Sequence, residues 1–149
     1  MRRNHLELYV HLVWATWDRM PLIGPGIERE TYRLIESEAR KVGCKVLALN
    51  GTQDHVHHVI SLPATVTIAD VVKQVKGVSS KFIAEAQPVG QLFKRQANYG
   101  AFTVSRWDLD RVIGYVEGQK AHHNAGEVVE DWERAVDLID GAGPRGPGD

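Results

Sequence analysis

Hydrophobic residues along the chain alternate in some stretches and recur at helical spacing in others. The stretches rich in β-branched and aromatic residues predict four strands, at 6–16, 44–53, 55–62 and 101–105. The stretches with apolar residues three and four positions apart predict three helices, at 27–42, 67–86 and 109 to about 124. Start and stop signals for these helices come from Thr67, Asp108 and Gly43.

The order of the predicted elements is strand, helix, strand, strand, helix, strand, helix. This is the split βαβ pattern of a ferredoxin-like or RRM-like antiparallel sheet with helices on one face, followed by an additional C-terminal helix. We therefore predict an α+β fold with a single domain at residues 1–140. A short helix is expected at 128–139, and the Gly- and Pro-rich residues 141–149 are expected to form a disordered tail. Because many unrelated functions use this sheet, the fold does not decide the function.

Length and composition narrow the class of protein. The chain has 149 residues, of which 43% are hydrophobic and 25% charged, as in an ordinary globular domain. No stretch has the apolar length of a membrane span, and the first residues lack the apolar core of a signal peptide. We therefore expect a cytoplasmic protein with no membrane partner. The single cysteine, Cys44, excludes an internal disulfide and a zinc site built on several thiolates.

The net charge of −1 and the pI near 6.7 differ from those of a strongly basic nucleic-acid-binding domain. The charges are unevenly distributed, however, with basic residues concentrated in the first two thirds and acidic residues near the end. A nearly neutral total is therefore compatible with a local basic face. Each basic residue could equally be a solvated surface charge. The candidates for contacts with DNA phosphates are Arg19, Lys73, Lys76, Lys81, Lys94 and Arg95.

The first candidate for chemistry is the triplet His55-Val56-His57 in the third predicted strand. Successive side chains of a strand point to opposite faces, so His55 and His57 share one face while His58 faces the other way. Two imidazoles about 7 Å apart along a strand can converge on one divalent ion. The same pattern also fits half-exposed histidines with no ligand, so a second feature is needed to decide.

The third predicted helix supplies that feature. Tyr115 and Gln119 are four residues apart and therefore share one face, with His122 nearly in line one turn further on. Alone, Tyr115 could be a core aromatic residue. Together with the histidine pair it completes a set of two imidazoles, one amide oxygen and one phenol. A phenol can attack phosphorus when a metal polarises the phosphodiester. Gly114 and Gly118 within the helix suggest a close approach to its backbone, or a helix that moves.

The two motifs together resemble those of the single-tyrosine HUH transposases. His55-Val56-His57 is similar to the histidine–hydrophobic–histidine motif of this family, and Tyr115-Val116-Glu117-Gly118-Gln119 is similar to its Tyr-x-x-x-Gln motif. The family includes the small insertion-sequence transposases and the REP-associated tyrosine transposases. The resemblance spans roughly residues 6–124 in the family's order and spacing.

The resemblance implies a DNA transposase that nicks and rejoins single-stranded DNA. It implies that Tyr115 forms a 5′-phosphotyrosine intermediate and that His55, His57 and Gln119 bind one Mg²⁺ or Mn²⁺. His11 and His122 are additional site candidates. It further implies a homodimer that acts on the hairpin-forming ends of a small insertion sequence or REP-like element, in the nucleoid-associated cytoplasm of a prokaryote.

Other functions remain open at this stage. A replication initiator or relaxase would use the same chemistry, although such proteins are usually larger. A catalytically inactive or domesticated single-stranded nucleic-acid-binding module would bind through the sheet, and altering Tyr115 would not affect that binding. A structural-metal or stand-alone protein of ferredoxin-like fold would leave the pairing of Tyr115 with Gln119 unexplained.

Overall fold

The structure, a computed structural model, describes residues 4–16, 20–86 and 99–120. The elements in these ranges follow the predicted order: β1 (Tyr9–Ala15), α1 (Glu28–Lys41), β2 (Lys45–Gly51), β3 (His55–Ser61), α2 (Ile68–Ala86), β4 (Gly100–Val104) and α3 (Leu109–Glu117). The predicted helix at 128–139 and the tail at 141–149 lie outside the described residues. Among the helices that are described, none is long and apolar enough to cross a membrane.

The four strands form one antiparallel sheet in the order β2-β3-β1-β4. This is the strand order of a split βαβ sheet, so the predicted α+β fold is confirmed. The central strands β1 and β3 are buried along almost their whole length, whereas the edge strands β2 and β4 are partly exposed. Coverage of both faces explains why the first strand reads as a nearly continuous apolar run.

Helices cover both faces of the sheet. On one face α1 and α2 pack together over β1 and β3, in a core that includes Leu12, Ile35, Ile60 and Val75. On the other face α3 packs across β2 and β3, in a second core that includes Val59. Because side chains alternate along a strand, neighbouring residues of β3 serve different cores. The C-terminal helix is therefore alone, among the described helices, on the face that carries His55 and His57.

A β-bulge changes the predicted alternation in β2. The sequence pattern predicts that Val46 and Ala48 share a face, but the register shifts between these two residues. Val46 consequently packs toward α1 and α2, whereas Ala48 packs toward α3. The extra residue, Leu47, is what separates them. The bulge also places Asn50 opposite His57 in the neighbouring strand.

Two of the predicted helix signals act as expected. The Thr67 hydroxyl accepts a hydrogen bond from the Asp70 backbone N–H at 3.1 Å, which caps the start of α2. Gly43 follows α1 with a φ of 92°, a left-handed conformation that favours glycine. Asp108 occupies the N-cap position of α3, but its side chain makes no capping hydrogen bond.

The helix α3 is interrupted within its predicted range. It ends at Glu117, and the cap residue Gly118 donates its backbone N–H to the carbonyl of Gly114. Gly118 therefore interrupts the helix, and the two residues after it, Gln119 and Lys120, are again helical. A Cβ added at Gly114 would meet nothing within 4 Å, so the close approach expected there is absent from the described residues. The remainder of the predicted helix, 121–124, lies outside them.

Candidate active site

The central strands bring three histidines to the face covered by α3. His11 comes from β1, and His55 and His57 come from β3, and all three are buried. The His57 ring centroid lies 5.0 Å from that of His11 and 5.1 Å from that of His55. His57 pairs with Val13 across the strands, so His11 is its diagonal neighbour. The predicted same-face arrangement of the histidine pair is confirmed, and His11 joins it.

Polar partners in the turn before β3 fix the orientation of His55. Its Nδ1 lies 2.7 Å from the Asp54 carboxylate and 2.9 Å from the Thr52 hydroxyl, which itself donates to Asp54 at 2.9 Å. Because a carboxylate only accepts hydrogen bonds, the neutral form of this ring carries its proton on Nδ1. The lone pair is then on Nε2, as a metal-binding histidine with a carboxylate partner requires.

His57 is also held through Nδ1, but by a different partner. Its Nδ1 lies 2.8 Å from Nε2 of His11, in a buried contact between two strands. Unlike a carboxylate, an imidazole nitrogen can either donate or accept, depending on its tautomer. Both histidines of the predicted pair therefore make a hydrogen bond at Nδ1. The partner of His55 is a carboxylate, which only accepts, whereas the partner of His57 is an imidazole, which can donate or accept.

The helix α3 places Tyr115 beside these histidines. The Tyr115 ring is 7% exposed and lies edge to face with His57, with ring centroids 6.0 Å apart. Val112 and Val116 on the same helix pack against the sheet and hold this face of α3 toward it. The predicted proximity of the tyrosine to the histidine pair is confirmed.

Contacts around the end of α3 place Gln119 in the same region. The Asn50 side chain donates to the Glu117 carbonyl at 2.8 Å, and Lys120 donates to the Asn50 side-chain oxygen at 2.6 Å. Asn50 pairs with His57 across β2 and β3. Gln119, which is buried, thus follows a helix end that is tied to the immediate neighbour of His57.

Lys120 extends this connection to α1. Its ammonium lies 2.8 Å from the Glu28 carboxylate and 5.6 Å from the centre of the Tyr32 ring. Burial, aided by the negative charge of Glu28, raises the pKa of Tyr32 above its ordinary value. The Tyr32 phenol consequently stays protonated, and the Lys120 contacts join α3 to the first helix.

The donor set predicted from the sequence fits a divalent ion. Imidazole nitrogen and amide oxygen are both recognised metal ligands, and the His55 ring is held in the tautomer that binds through Nε2. Within residues 4–16, 20–86 and 99–120, no group of three or more His, Cys, Asp or Glu side chains is arranged to hold a metal. The predicted set therefore depends on Gln119 for its third donor.

His58 lies on the opposite face of the sheet, as predicted. It packs edge to face with Trp14, at a centroid distance of 6.0 Å, in the layer covered by α1 and α2. Burial lowers the pKa of His58 to about 3, because a charged ring would lose its hydration there. His58 is therefore a neutral core residue that is separate from the candidate site.

The predicted DNA-contacting residues differ in exposure and in position. Lys73 and Lys81 are exposed on α2, on the side of the sheet opposite Tyr115. The expectation that Lys76 is exposed is wrong, because its side chain is 5% exposed and lies on the inner side of α2 near Trp14. Four further site candidates lie outside the described residues: Arg19, Lys94, Arg95 and His122.

A groove at the β4 edge of the sheet reaches one of the three buried histidines, His11. It is bounded by β4 and the first turn of α3, and His11 contributes to its lining. The Phe102 ring lies 5.8 Å from the His11 ring, between centroids. Polar and charged groups line the outer part: Thr103, Ser105, Asp108 and Arg111.

Four residues around the site were not selected from the sequence. Asp54 and Thr52 orient His55, while Asn50 and Lys120 anchor the end of α3. A carboxylate directly before a candidate metal-binding histidine is a usable signal for a residue that orients the ligand. For Asn50 the sequence gives no such signal, because Asn50-Gly51 suggests only a turn. Gly51 lies so close to the backbone of β3 that an added Cβ would be 2.1 Å from the His55 carbonyl oxygen.

Comparisons of the sequence and of the structure with known proteins identify the family of this chain. ISDra2 transposase TnpA of Deinococcus radiodurans is 26% identical over 118 residues, which cover 76% of this chain and 84% of that protein. A crystal structure assigned as a transposase, from Deinococcus radiodurans R1, has 25% identity and a TM-score of 0.61. The match covers 80% of this chain and 96% of that one.

A REP-associated tyrosine transposase, solved bound to a REP hairpin, shares the fold at 18% identity and a TM-score of 0.57. That match covers 100% of this chain and 91% of the other. The family model for IS200-like transposases matches residues 4–119, which include the histidine pair, Tyr115 and Gln119. With the strand order and the His57–Tyr115 contact, this extensive match shows that the chain belongs to the IS200-like transposase family.

Proposed function

We propose that this chain nicks and rejoins single-stranded DNA through a covalent bond between Tyr115 and a DNA phosphate. The observation that carries the proposal is the contact between Tyr115 of α3 and His57 of β3, at a centroid distance of 6.0 Å. His55 and His57 lie on the same face of the sheet, and His55 is oriented for metal binding. A buried phenol beside a histidine pair, in a chain of the IS200-like transposase family, supports phosphoryl transfer to the tyrosine.

The chemical step transfers a phosphoryl group to the tyrosine. The phenol of Tyr115 loses its proton, and its oxygen forms a bond to phosphorus. The bond between phosphorus and the 3′ oxygen breaks, and that oxygen takes up a proton to become a free 3′-hydroxyl. The product is a 5′-phosphotyrosine. A 3′-hydroxyl of another strand can reverse the step, and no nucleotide cofactor is needed because the phosphoester bond energy is conserved.

We further propose that His55, His57 and Gln119 hold one Mg²⁺ or Mn²⁺. When bound, such an ion polarises the phosphodiester and offsets the negative charge that develops on its oxygens. The burial of all three side chains favours this role, because the attraction between a cation and polar donor atoms is stronger where water is excluded. Asp54 and Thr52 keep the His55 ring in its orientation during the reaction.

The groove beside His11 offers a path for the DNA strand. An unstacked base can stack on an aromatic ring such as Phe102, while Arg111 can face a phosphate. Lys73 and Lys81 are exposed on α2, on the other face of the sheet from Tyr115, so we assign them to flanking DNA. Arg19, Lys94, Arg95 and His122 keep their proposed roles near DNA or the site, and no described contact bears on them.

The proposed partner is single-stranded DNA with hairpin-forming ends, by analogy with the relative that was solved on a REP hairpin. We also propose a homodimer, which would allow the tyrosine helix of one subunit to serve the site of the other. The proposed location is the nucleoid-associated cytoplasm of a prokaryote.

Formation of a metal-dependent covalent adduct tests the proposed function. The purified protein is incubated with hairpin-containing single-stranded DNA, with Mg²⁺ or Mn²⁺ or with EDTA, and the products are separated on a denaturing gel. We expect a protein–DNA adduct only with the metal ion. Binding of DNA without any adduct across varied hairpins would favour the catalytically inactive binding module instead.

A further inference from the structure

The contact between His11 and His57 has two chemically distinct arrangements. The His11 Nε2 and His57 Nδ1 atoms are 2.8 Å apart, and one proton lies between them. If His11 donates, the neutral His57 ring carries its own proton on Nε2 and has no lone pair there. If His57 donates, its Nε2 has the lone pair. Only the second arrangement allows His57 to bind a metal through Nε2.

Whether His11 or His57 donates is not specified by the contact itself, in contrast to the contact of His55 with Asp54. Asp54 can only accept, so its contact with Nδ1 of His55 specifies one tautomer. At the corresponding contact, Nδ1 of His57 faces an imidazole from the neighbouring strand. The tautomer of His57 is therefore coupled to that of His11, a residue that the motif does not include.

We propose that His11 is a positioning residue that accepts a hydrogen bond from Nδ1 of His57 and thereby leaves the Nε2 lone pair of His57 for the metal ion. His11 is 1% exposed and its ring lies within 5.0 Å of the His57 ring, centroid to centroid. It therefore also limits rotation of that ring. His11 does not itself bind the metal in this assignment. The inference rests on the proposed metal role of His57.

Nitrogen-15 NMR of the metal-free 149-residue chain tests the tautomer directly. The spectrum distinguishes Nδ1–H from Nε2–H in each histidine ring, and we expect Nδ1–H for His57 in the wild type. His11→Gln retains an acceptor oxygen and should preserve this tautomer. His11→Leu removes the acceptor and should shift His57 toward Nε2–H.

Mn²⁺ affinity, followed by electron paramagnetic resonance of the free ion, provides the second readout. We expect His11→Leu to weaken Mn²⁺ binding by about 10- to 100-fold, the usual effect of losing a residue that orients a ligand. His11→Gln should stay within a few-fold of the wild type. His58→Leu is the matched control, because His58 is an equally buried histidine on the opposite face of the sheet.

The outcomes separate this inference from the proposed function. An Nε2–H tautomer for wild-type His57, or wild-type Mn²⁺ affinity in His11→Leu, would overturn the role of His11 while leaving the metal site in place. A wild type that has the Nδ1–H tautomer but binds no Mn²⁺ would instead overturn the metal role in the proposed function and uphold the hydrogen-bond assignment. Equal loss of affinity in His11→Gln and His11→Leu would show that His11 contributes only packing, and would overturn the inference.

Discussion

His57 and Tyr115 come from elements on different layers of the fold, yet their rings meet edge to face with centroids 6.0 Å apart. His57 belongs to the central strand β3, and Tyr115 lies in the last full turn of α3 before the Gly118 cap. The sheet thus presents the imidazoles from a rigid, buried position. The phenol is supplied by a short helix whose end is held by a few polar contacts.

Removing the carboxylate beside His55 should weaken metal binding without removing a ligand. In Asp54→Ala, the His55 Nδ1 loses its 2.7 Å contact and keeps the Thr52 hydroxyl, which can donate or accept, so the tautomer of His55 is no longer specified. We expect Mn²⁺ affinity to fall by about 10-fold or more, measured by electron paramagnetic resonance. Asp70→Ala, at an exposed position of α2, is the control. Unchanged affinity in Asp54→Ala would contradict the assignment of His55 as a ligand oriented by Asp54.

The end of α3 should loosen when its anchor is removed. Asn50→Ala loses the hydrogen bonds to the Glu117 carbonyl and from Lys120. Each is worth on the order of 1 kcal/mol, so local opening should become at least about 5-fold more frequent. Hydrogen exchange of the backbone amides of α3 measures this opening. Lys45→Ala, an exposed change on the same strand, should leave the exchange unchanged. Unaltered exchange in Asn50→Ala would show that packing alone holds the helix.

The exposed lysines of α2 should contribute to DNA affinity but not to catalysis. Replacing Lys73 and Lys81 by alanine removes two charges from the side of the sheet opposite Tyr115. If both contact phosphates of a single strand, the slope of log K against log[salt] should become shallower by about 1.4, or 0.7 per contact. Adduct formation at saturating DNA should be unaffected. Arg33→Gln, an exposed change on α1, controls for general loss of charge. An unchanged slope would remove these lysines from the proposed DNA interface.

The contact between α1 and α2 through Glu38 should make stability depend on pH. Hydrogen bonds from Lys41 and Gln74 lower the pKa of Glu38 below its ordinary value of 4.5. A lowered carboxyl pKa stabilises the fold above the unfolded pKa, and this contribution disappears as the pH falls through the folded value. The stability difference between wild type and Glu38→Gln should therefore be largest above pH 5 and shrink below pH 4.5 in urea unfolding.

Glu36→Gln is the matched control for this measurement. Glu36 lies on the same helix and pairs with Arg40 at the surface, where ion pairs contribute little to stability. We expect a small effect at every pH. A Glu38→Gln difference that stays constant from pH 3 to pH 7 would contradict the role assigned to its charge.

Local sequence signals predict the elements of this fold, because the formation of a strand or helix depends largely on the types and spacing of residues that are close together in the chain. The β-branched residues of β3 and the helical spacing of α2 are both local signals, and both elements are found within one residue of their predicted bounds. The same-face placement of His55 and His57 follows from strand geometry alone. The bulge between Val46 and Ala48 was not predicted, because no residue type there indicates that one residue of the strand lacks a partner in the neighbouring strand.

Contacts between segments that are distant in the sequence explain the other features that the sequence did not predict. Lys76 was expected at the surface because lysines of an amphipathic helix usually are, whereas tertiary packing over Trp14 buries it. The hydrogen bond between His11 and His57 depends on strand register, which a single strand pattern cannot reveal. For the same reason, the pairing of Asn50 with His57 becomes visible only in the sheet.

The most direct test of the central claim is to identify the residue that carries the DNA. The adduct formed with hairpin-containing single-stranded DNA and Mg²⁺ or Mn²⁺ is digested with protease and nuclease, and the modified peptide is sequenced by mass spectrometry. We predict a 5′-phosphate nucleotide on Tyr115, and no adduct from Tyr115→Phe although that variant still binds the DNA. Modification of another residue, or an undiminished adduct in Tyr115→Phe, would contradict the assignment of Tyr115 as the nucleophile.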